Sequence, residues 1–166
     1  MNQIRNNFLK KKMNSPVSRH VVLMEPDKIK SVLIVTEKED NTLKRKVEEL
    51  FPSASVYHLF TRDIKEDNSK GFYYTVNKSD FNLTGVLKND KLKNLESMQI
   101  DLLVDLSAEE GLLDYFVSRI NATLKVGQMY TEKSSMYDLL IQLEGSKIQQ
   151  IEKIYDQLKI FTINAN

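Results

Sequence analysis

The sequence predicts an α/β domain, with a mainly parallel sheet covered by helices and a basic helical arm in front of it. Three observations lead there. The runs Ser-Val-Leu-Ile-Val-Thr at 31–36 and Ile-Asp-Leu-Leu-Val-Asp-Leu at 100–106 are almost continuously apolar, the pattern of strands buried on both faces. Segments with apolar residues at helical spacing lie between such runs. The two kinds of segment alternate along the chain, which argues for right-handed crossovers between parallel strands and for three layers.

The elements follow in order. After the strand at 31–36, Leu43, Val47, Leu50 and Phe51 stand at i, i+4, i+7 and i+8 and predict a helix over 41–51, which Pro52 stops. Residues 55–60 (Ser-Val-Tyr-His-Leu-Phe) predict a second strand, residues 72–76 a third, and residues 81–87 a further short extended piece. A brief helix is expected over 90–95, followed by the strand at 100–106. Ser107 with Glu110 three residues on reads as a capping box that starts a helix. That helix carries Leu112, Leu113, Phe116, Val117 and Ile120 on one face and ends at Asn121. Short strands are expected over 124–127 and 137–143. After Gly145, Ile148, Ile151, Ile154, Tyr155, Leu158 and Phe161 mark a final helix. The chain shows no repeat at solenoid spacing and no low-complexity tract. With 166 residues it divides into an arm over 1–24 and a single α/β domain over 25–166.

Composition narrows the chemistry. At 41% hydrophobic and 28% charged residues the chain has the means to build a core. It contains no cysteine, which removes disulfides, thiolate metal sites and cysteine nucleophiles. His20 and His58 are the only histidines, too few for a multi-histidine metal centre. The longest purely apolar runs are four residues, as at 21–24, so no transmembrane segment is expected. The N-terminus lacks the apolar stretch of a secretory signal, and a cytoplasmic location is expected.

The formal net charge is only +1, but it is unevenly spread. Arg5, Lys10, Lys11, Lys12 and Arg19 give residues 1–24 a charge of +5 with no acid, and the remaining 142 residues carry −4. A basic arm on a mildly acidic body points to an anionic partner. On a helical wheel Met1, Ile4 and Phe8 group together while Lys11 and Lys12 flank them, so the apolar and basic faces are poorly separated. A membrane-surface helix needs those faces distinct; RNA contact needs only positive charge and donors. RNA therefore fits the arm better.

Catalytic patterns are weak. The loop after the first strand reads Glu37-Lys38-Glu39-Asp40, without the glycines that let a backbone approach a pyrophosphate, and with three acids that would repel one. Neither G-x-G-x-x-G nor G-x-x-x-x-G-K-[ST] occurs. The loop after the strand at 100–106 brings together Asp105, Ser107, Glu109 and Glu110, where carboxylates at a sheet's carboxyl edge could serve a ligand. The capping box accounts for Ser107 and Glu110, and Glu109 suits a first helical turn, which leaves Asp105 alone. Ser107 lacks the G-x-S-x-G elbow of an exposed nucleophile, and His58 lies mid-strand, where a hydrogen-bonded packing role is expected. His20, beside Arg19, suits phosphate contact better than catalysis. Phe72, Tyr73, Tyr74 and Phe81 could stack bases, but Lys70 and Lys78 are the only nearby basic residues in sequence, which favours packing.

Several segments carry a resemblance. Asp80-Phe81-Asn82-Leu83-Thr84-Gly85, Ile100-Asp101-Leu102-Leu103-Val104-Asp105, Leu124-Lys125-Val126-Gly127 and Asp138-Leu139-Leu140-Ile141, with the basic arm, resemble an uncharacterised family of small Bacteroidota proteins. The resemblance implies a Rossmann-like cytoplasmic domain and supplies no activity. A fainter similarity is to the N-terminal half of heptosyltransferase-type glycosyltransferases, in the strand at 100–106, Val126-Gly127 and Phe51-Pro52-Ser53-Ala54. Those enzymes need a second Rossmann-like half, and no catalytic residue carries over by position.

The expected function is that of a non-enzymatic binding protein. Arg5, Lys10, Lys11, Lys12 and Arg19 would dock on RNA or a ribonucleoprotein, and the α/β body would offer a surface to protein partners, with no cofactor and no metal. One alternative is a small-ligand or sugar/nucleotide-binding domain using Asp105 and Ser107 at the sheet's carboxyl edge and the loop from Glu37 to Asp40; another is a membrane-surface adaptor.

Overall fold

The runs at 31–36, 55–60 and 100–106 become strands, as their local pattern predicts. The computed structural model describes residues 20–61, 72–82, 85–108, 111–129 and 134–163. In chain order the elements are β1 (Ser31–Thr36), α1 (Asn41–Leu50), β2 (Ser55–Thr61), β3 (Tyr73–Val76), α2 (Asp90–Ser97), β4 (Ile100–Asp105), α3 (Leu112–Arg119), β5 (Ala122–Gln128), β6 (Leu139–Ile141) and α4 (Lys147–Ile163). The six strands form one sheet in the order β3-β2-β1-β4-β5-β6, and all five pairings are parallel. This is a Rossmann-like α/β arrangement.

Alternation along the strands divides the core in two. Leu33, Val35, Leu59 and Leu103 face Leu92 and Leu95 of α2 and Leu113, Phe116 and Val117 of α3. Val32, Ile34, Val56, Leu102, Leu124 and Val126 face Leu43 and Val47 of α1 and Ile151, Ile154 and Leu158 of α4. The expected three layers follow from these two clusters. At the amino end, Asp101 accepts from Lys30 N–H (2.7 Å) and Ser31 N–H (3.1 Å), while Ser31 Oγ accepts from Asp101 N–H (2.9 Å), pinning β1 to β4.

Caps set the helix starts. Asp40 Oδ1 accepts from Leu43 N–H (2.9 Å) at α1, and Asn89 Oδ1 accepts from Lys91 and Leu92 N–H at α2. At α4, Ser146 Oγ accepts from Gln149 N–H (3.3 Å) and Gln149 Oε1 from Ser146 N–H (2.8 Å), a reciprocal box. Lys125 of β5, fully buried, reaches across to α3 and donates to Val117 O (3.0 Å) and Ser118 O (3.3 Å), placing a cation on carbonyls at that helix's end.

The structure corrects three expectations, and a fourth lies mostly outside the described residues. The described residues of 81–87 form no strand, only one antiparallel bridge between Phe81 and Leu87. The helix expected after Ser107 begins at Leu112: Gly111, at φ 121°, precedes it, and its N–H donates to Asp114 Oδ2 (2.7 Å). Ser107 is not its N-cap: that position belongs to Gly111, four residues on, and the Ser107 hydroxyl donates to Asp105 Oδ1. The strand expected over 137–143 narrows to Leu139–Ile141, because Tyr137 and Asp138 are drawn into contacts with β4 and β5. The arm expected over 1–24 falls mostly on residues 1–19, outside the described residues; residues 20–24 are not helical, and Met24 packs against the α1–α4 core. No helix among the described residues is long and apolar enough to cross a membrane.

Candidate functional site

The winding of the chain reverses at β1. From β1 it steps outward through β2 to β3, then returns past β1 to β4 and continues through β5 to β6. The loops after β1 and β4 therefore diverge, and the crevice between them at the carboxyl edge is where open α/β sheets bind ligands. Here Glu37, one residue beyond β1, bridges it. Its Oε1 accepts from Ala108 N–H in the loop after β4 (2.5 Å), and its Oε2 accepts from Lys147 Nζ at the start of α4. Thr61 Oγ1 donates to the Glu37 carbonyl (2.7 Å) and ties the same loop to β2. Burial opposes ionisation of Glu37, but the Ala108 N–H and the Lys147 ammonium outweigh it and hold the carboxyl below its usual range.

His58 lies beneath this loop, on the α1–α4 side of the sheet. Its partner across the β1–β2 ladder is Ile34, whose side chain belongs to that core, and the imidazole is 0% exposed. Thr36 Oγ1 sits 2.7 Å from His58 Nε2 and 2.6 Å from Lys38 O. Its single proton goes to the Lys38 carbonyl, so His58 Nε2 must carry a hydrogen and donate it. Nδ1 then holds a lone pair, and it is buried with no hydrogen-bond partner among the described residues. Burial pushes the imidazole down to about 4, against the pull of Asp40, with Lys147 and Lys44 adding to the fall.

Asp105 ends β4 on the opposite side of the sheet, paired with Val35, and is 2% exposed. Its Oδ1 accepts from Ser107 N–H (2.8 Å) and Ser107 Oγ–H (2.6 Å), and its Oδ2 accepts from the Tyr137 hydroxyl. Burial first, then the Asp105 charge, drives the Tyr137 phenol well above its ordinary range. The Tyr137 ring lies against Gly127 of β5. Asp105 and Ser107 are thus bonded to each other, as part of a latch between β4 and the segment before β6. His58 cannot serve Ser107, because the sheet lies between them.

The aromatic residues separate as strand alternation requires. On the α2 side, Phe72 stands edge-to-face on Tyr57 (5.3 Å, 77°), Tyr57 tilts against Tyr74 (6.2 Å), and Lys91 Nζ lies 5.3 Å over the Tyr74 ring. On the α1 side, Tyr73 donates to Asn41 Oδ1 (2.6 Å) beneath Lys44 Nζ, 5.5 Å from its ring centre. Phe81 packs on Tyr115 and Phe116 in the core. The aromatic edge thus meets Lys91 on one face and, on the other, a buried Lys44 that is ion-paired to Glu48, neither shown by its local sequence.

Of the residues expected to contact RNA, Arg5, Lys10, Lys11, Lys12 and Arg19 lie outside the described residues; His20 is exposed. Sequence reasoning missed the roles of Glu37, Lys147 and Tyr137. The one signal available for Tyr137 was the glycine in Val126-Gly127, a strand position where a ring or another backbone comes close.

A family model described as "Family of unknown function (DUF6913)" matches residues 2–161. No curated protein and no solved structure matches the chain.

Proposed function

Because the chain belongs to this family of unknown function, DUF6913, its role has to come from its own residues, and we propose that it is a non-enzymatic, cytoplasmic binding protein that engages RNA or a ribonucleoprotein through its basic N-terminal arm. The observation that carries the reading is the occupant of the switch-point crevice. The position where a Rossmann-like sheet would hold an anionic ligand contains the chain's own Glu37 carboxylate, bound to Ala108 N–H and Lys147. Asp105, the carboxylate that the sequence singles out at this edge, is engaged by Ser107 and Tyr137. With the crevice committed to internal bonds, the concentrated positive charge of Arg5, Lys10, Lys11, Lys12 and Arg19 is the feature best suited to a partner. Phosphate contacts of this kind bring affinity with little sequence preference.

The test is fluorescence anisotropy on labelled single-stranded RNA across a salt series. It compares the intact chain with one carrying Lys10→Glu, Lys11→Glu and Lys12→Glu. The intact chain should bind with a log–log salt slope of roughly −0.7 per phosphate neutralised. The charge-reversed chain should keep its fold and lose the salt-dependent binding. Unchanged binding by that variant removes the proposal and returns attention to the carboxyl edge.

A further inference from the structure

We infer that Phe72 is a base-stacking platform on the body, a second point of contact for the single-stranded RNA held by the arm; the inference rests on the RNA reading above. Phe72 is 49% exposed, among the most exposed large apolar side chains of the described residues. It is also fixed in place. Its carbonyl accepts from His58 N–H (2.9 Å), which attaches the residue to β2 just ahead of β3, and its ring is braced edge-to-face by Tyr57. An aromatic ring held at both backbone and side chain has already lost most of the freedom that binding would cost it.

The surroundings fit a nucleobase. Phe72, Tyr57 and Tyr74 form a row of three rings along the β2–β3 edge, exposed at Phe72 and running inward to Tyr74, which is nearly buried. Lys91 lies over the inner ring, so the row carries positive charge at its inner end. Single-strand binders join such rings to basic surface, and the stacking is indifferent to sequence because every base offers a π-face. A stable protein partner would bury roughly 800 Å² of surface on each side, far more than the one half-exposed ring provides.

Stacking and phosphate contact separate in a salt series. Neutralised phosphates set the slope, whereas a stacked base shifts affinity equally at every salt concentration. The experiment measures anisotropy of a fluorescein-labelled, mixed-sequence single-stranded RNA with the full chain, Phe72→Ala, Phe72→Leu, Phe72→Tyr and the triple Lys-to-Glu arm variant. Phe72→Leu keeps apolar bulk against Tyr57 and so guards against a folding defect in Phe72→Ala. Both should bind about tenfold more weakly with an unchanged slope, and Phe72→Tyr should bind as the parent does. If Phe72→Leu binds as tightly as the parent while the arm variant loses its salt dependence, the stacking inference falls and the arm reading stands. If neither position matters, both fall.

Discussion

The side chain that Gly127 lacks would lie 2.5 Å from Cδ2 and 2.6 Å from Cγ of Tyr137, inside the ring's van der Waals boundary. The ring lies where it does because β5 leaves that space, and its hydroxyl then reaches the buried Asp105 carboxylate. One missing methyl group on β5 thereby governs a hydrogen bond to β4.

Gly127→Ala should push the ring off β5 and pull the hydroxyl from Asp105. The loss is expected at about 1–3 kcal/mol, the range for overpacking a filled interior. Tyr137→Phe keeps the ring and removes only the hydroxyl, leaving Asp105 Oδ2 without that donor, at a cost of about 1–3 kcal/mol. Urea denaturation of both variants checks this, and a Gly127→Ala chain as stable as the parent would refute the packing argument.

His58 should make the fold sensitive to mild acid. Its folded value of about 4 lies below the ordinary 6.5 of an imidazole, so the unfolded chain binds a proton that the folded chain refuses. Stability from this group is complete above about pH 6.5 and is lost as pH falls toward 4, with no further change below. The span corresponds to about 3 kcal/mol. His58→Gln retains a donor for Thr36 without a titrating ring. The prediction is a flatter stability profile between pH 6.5 and 4 for that variant, read from denaturation midpoints; a slope identical to the parent's would contradict it.

Glu37 should contribute in a lower pH window. Its carboxyl sits below the usual range, so its contribution is present above the ordinary glutamate value and disappears as pH falls through the depressed one. Glu37→Gln weakens the bridge to Ala108 and Lys147. Because both side chains are about a third exposed, the cost should be only about 1 kcal/mol. The sharper readout is local: amide exchange at Ala108 should quicken in Glu37→Gln while exchange in β1 and β4 stays slow. Unchanged exchange at Ala108 would mean that the carboxylate does not hold that loop.

How much of this was legible depended on the distance between partners. β1 occupies the predicted residues 31–36 because a run flanked by polar residues and buried on both faces declares itself locally. The start of α3 was misplaced because Ser107-x-x-Glu110 satisfies a local rule, and the serine instead bonds to Asp105, two residues before it. Glu37 reads as one of three acids in a solvated loop, since its partners lie 71 and 110 positions further on. Lys125 sits between Leu124 and Val126 in a predicted strand, and nothing nearby shows that its ammonium caps a helix. Strand identity was written in neighbouring residues; the bonds that join the loops were not.

The position of β1 between β2 and β4 also bears on how the chain is made. Its partner Asp101 stands 70 positions after Ser31, so the pairing that completes the centre of the sheet closes one of the longest loops in the fold. A nascent chain that has emerged only as far as β3 holds β1 with one edge bare, and that edge is a run of valine, leucine and isoleucine. Such an edge is a template for pairing with another chain. The interval between synthesis of β3 and of β4 is thus the stage at which this protein most needs protection from its neighbours.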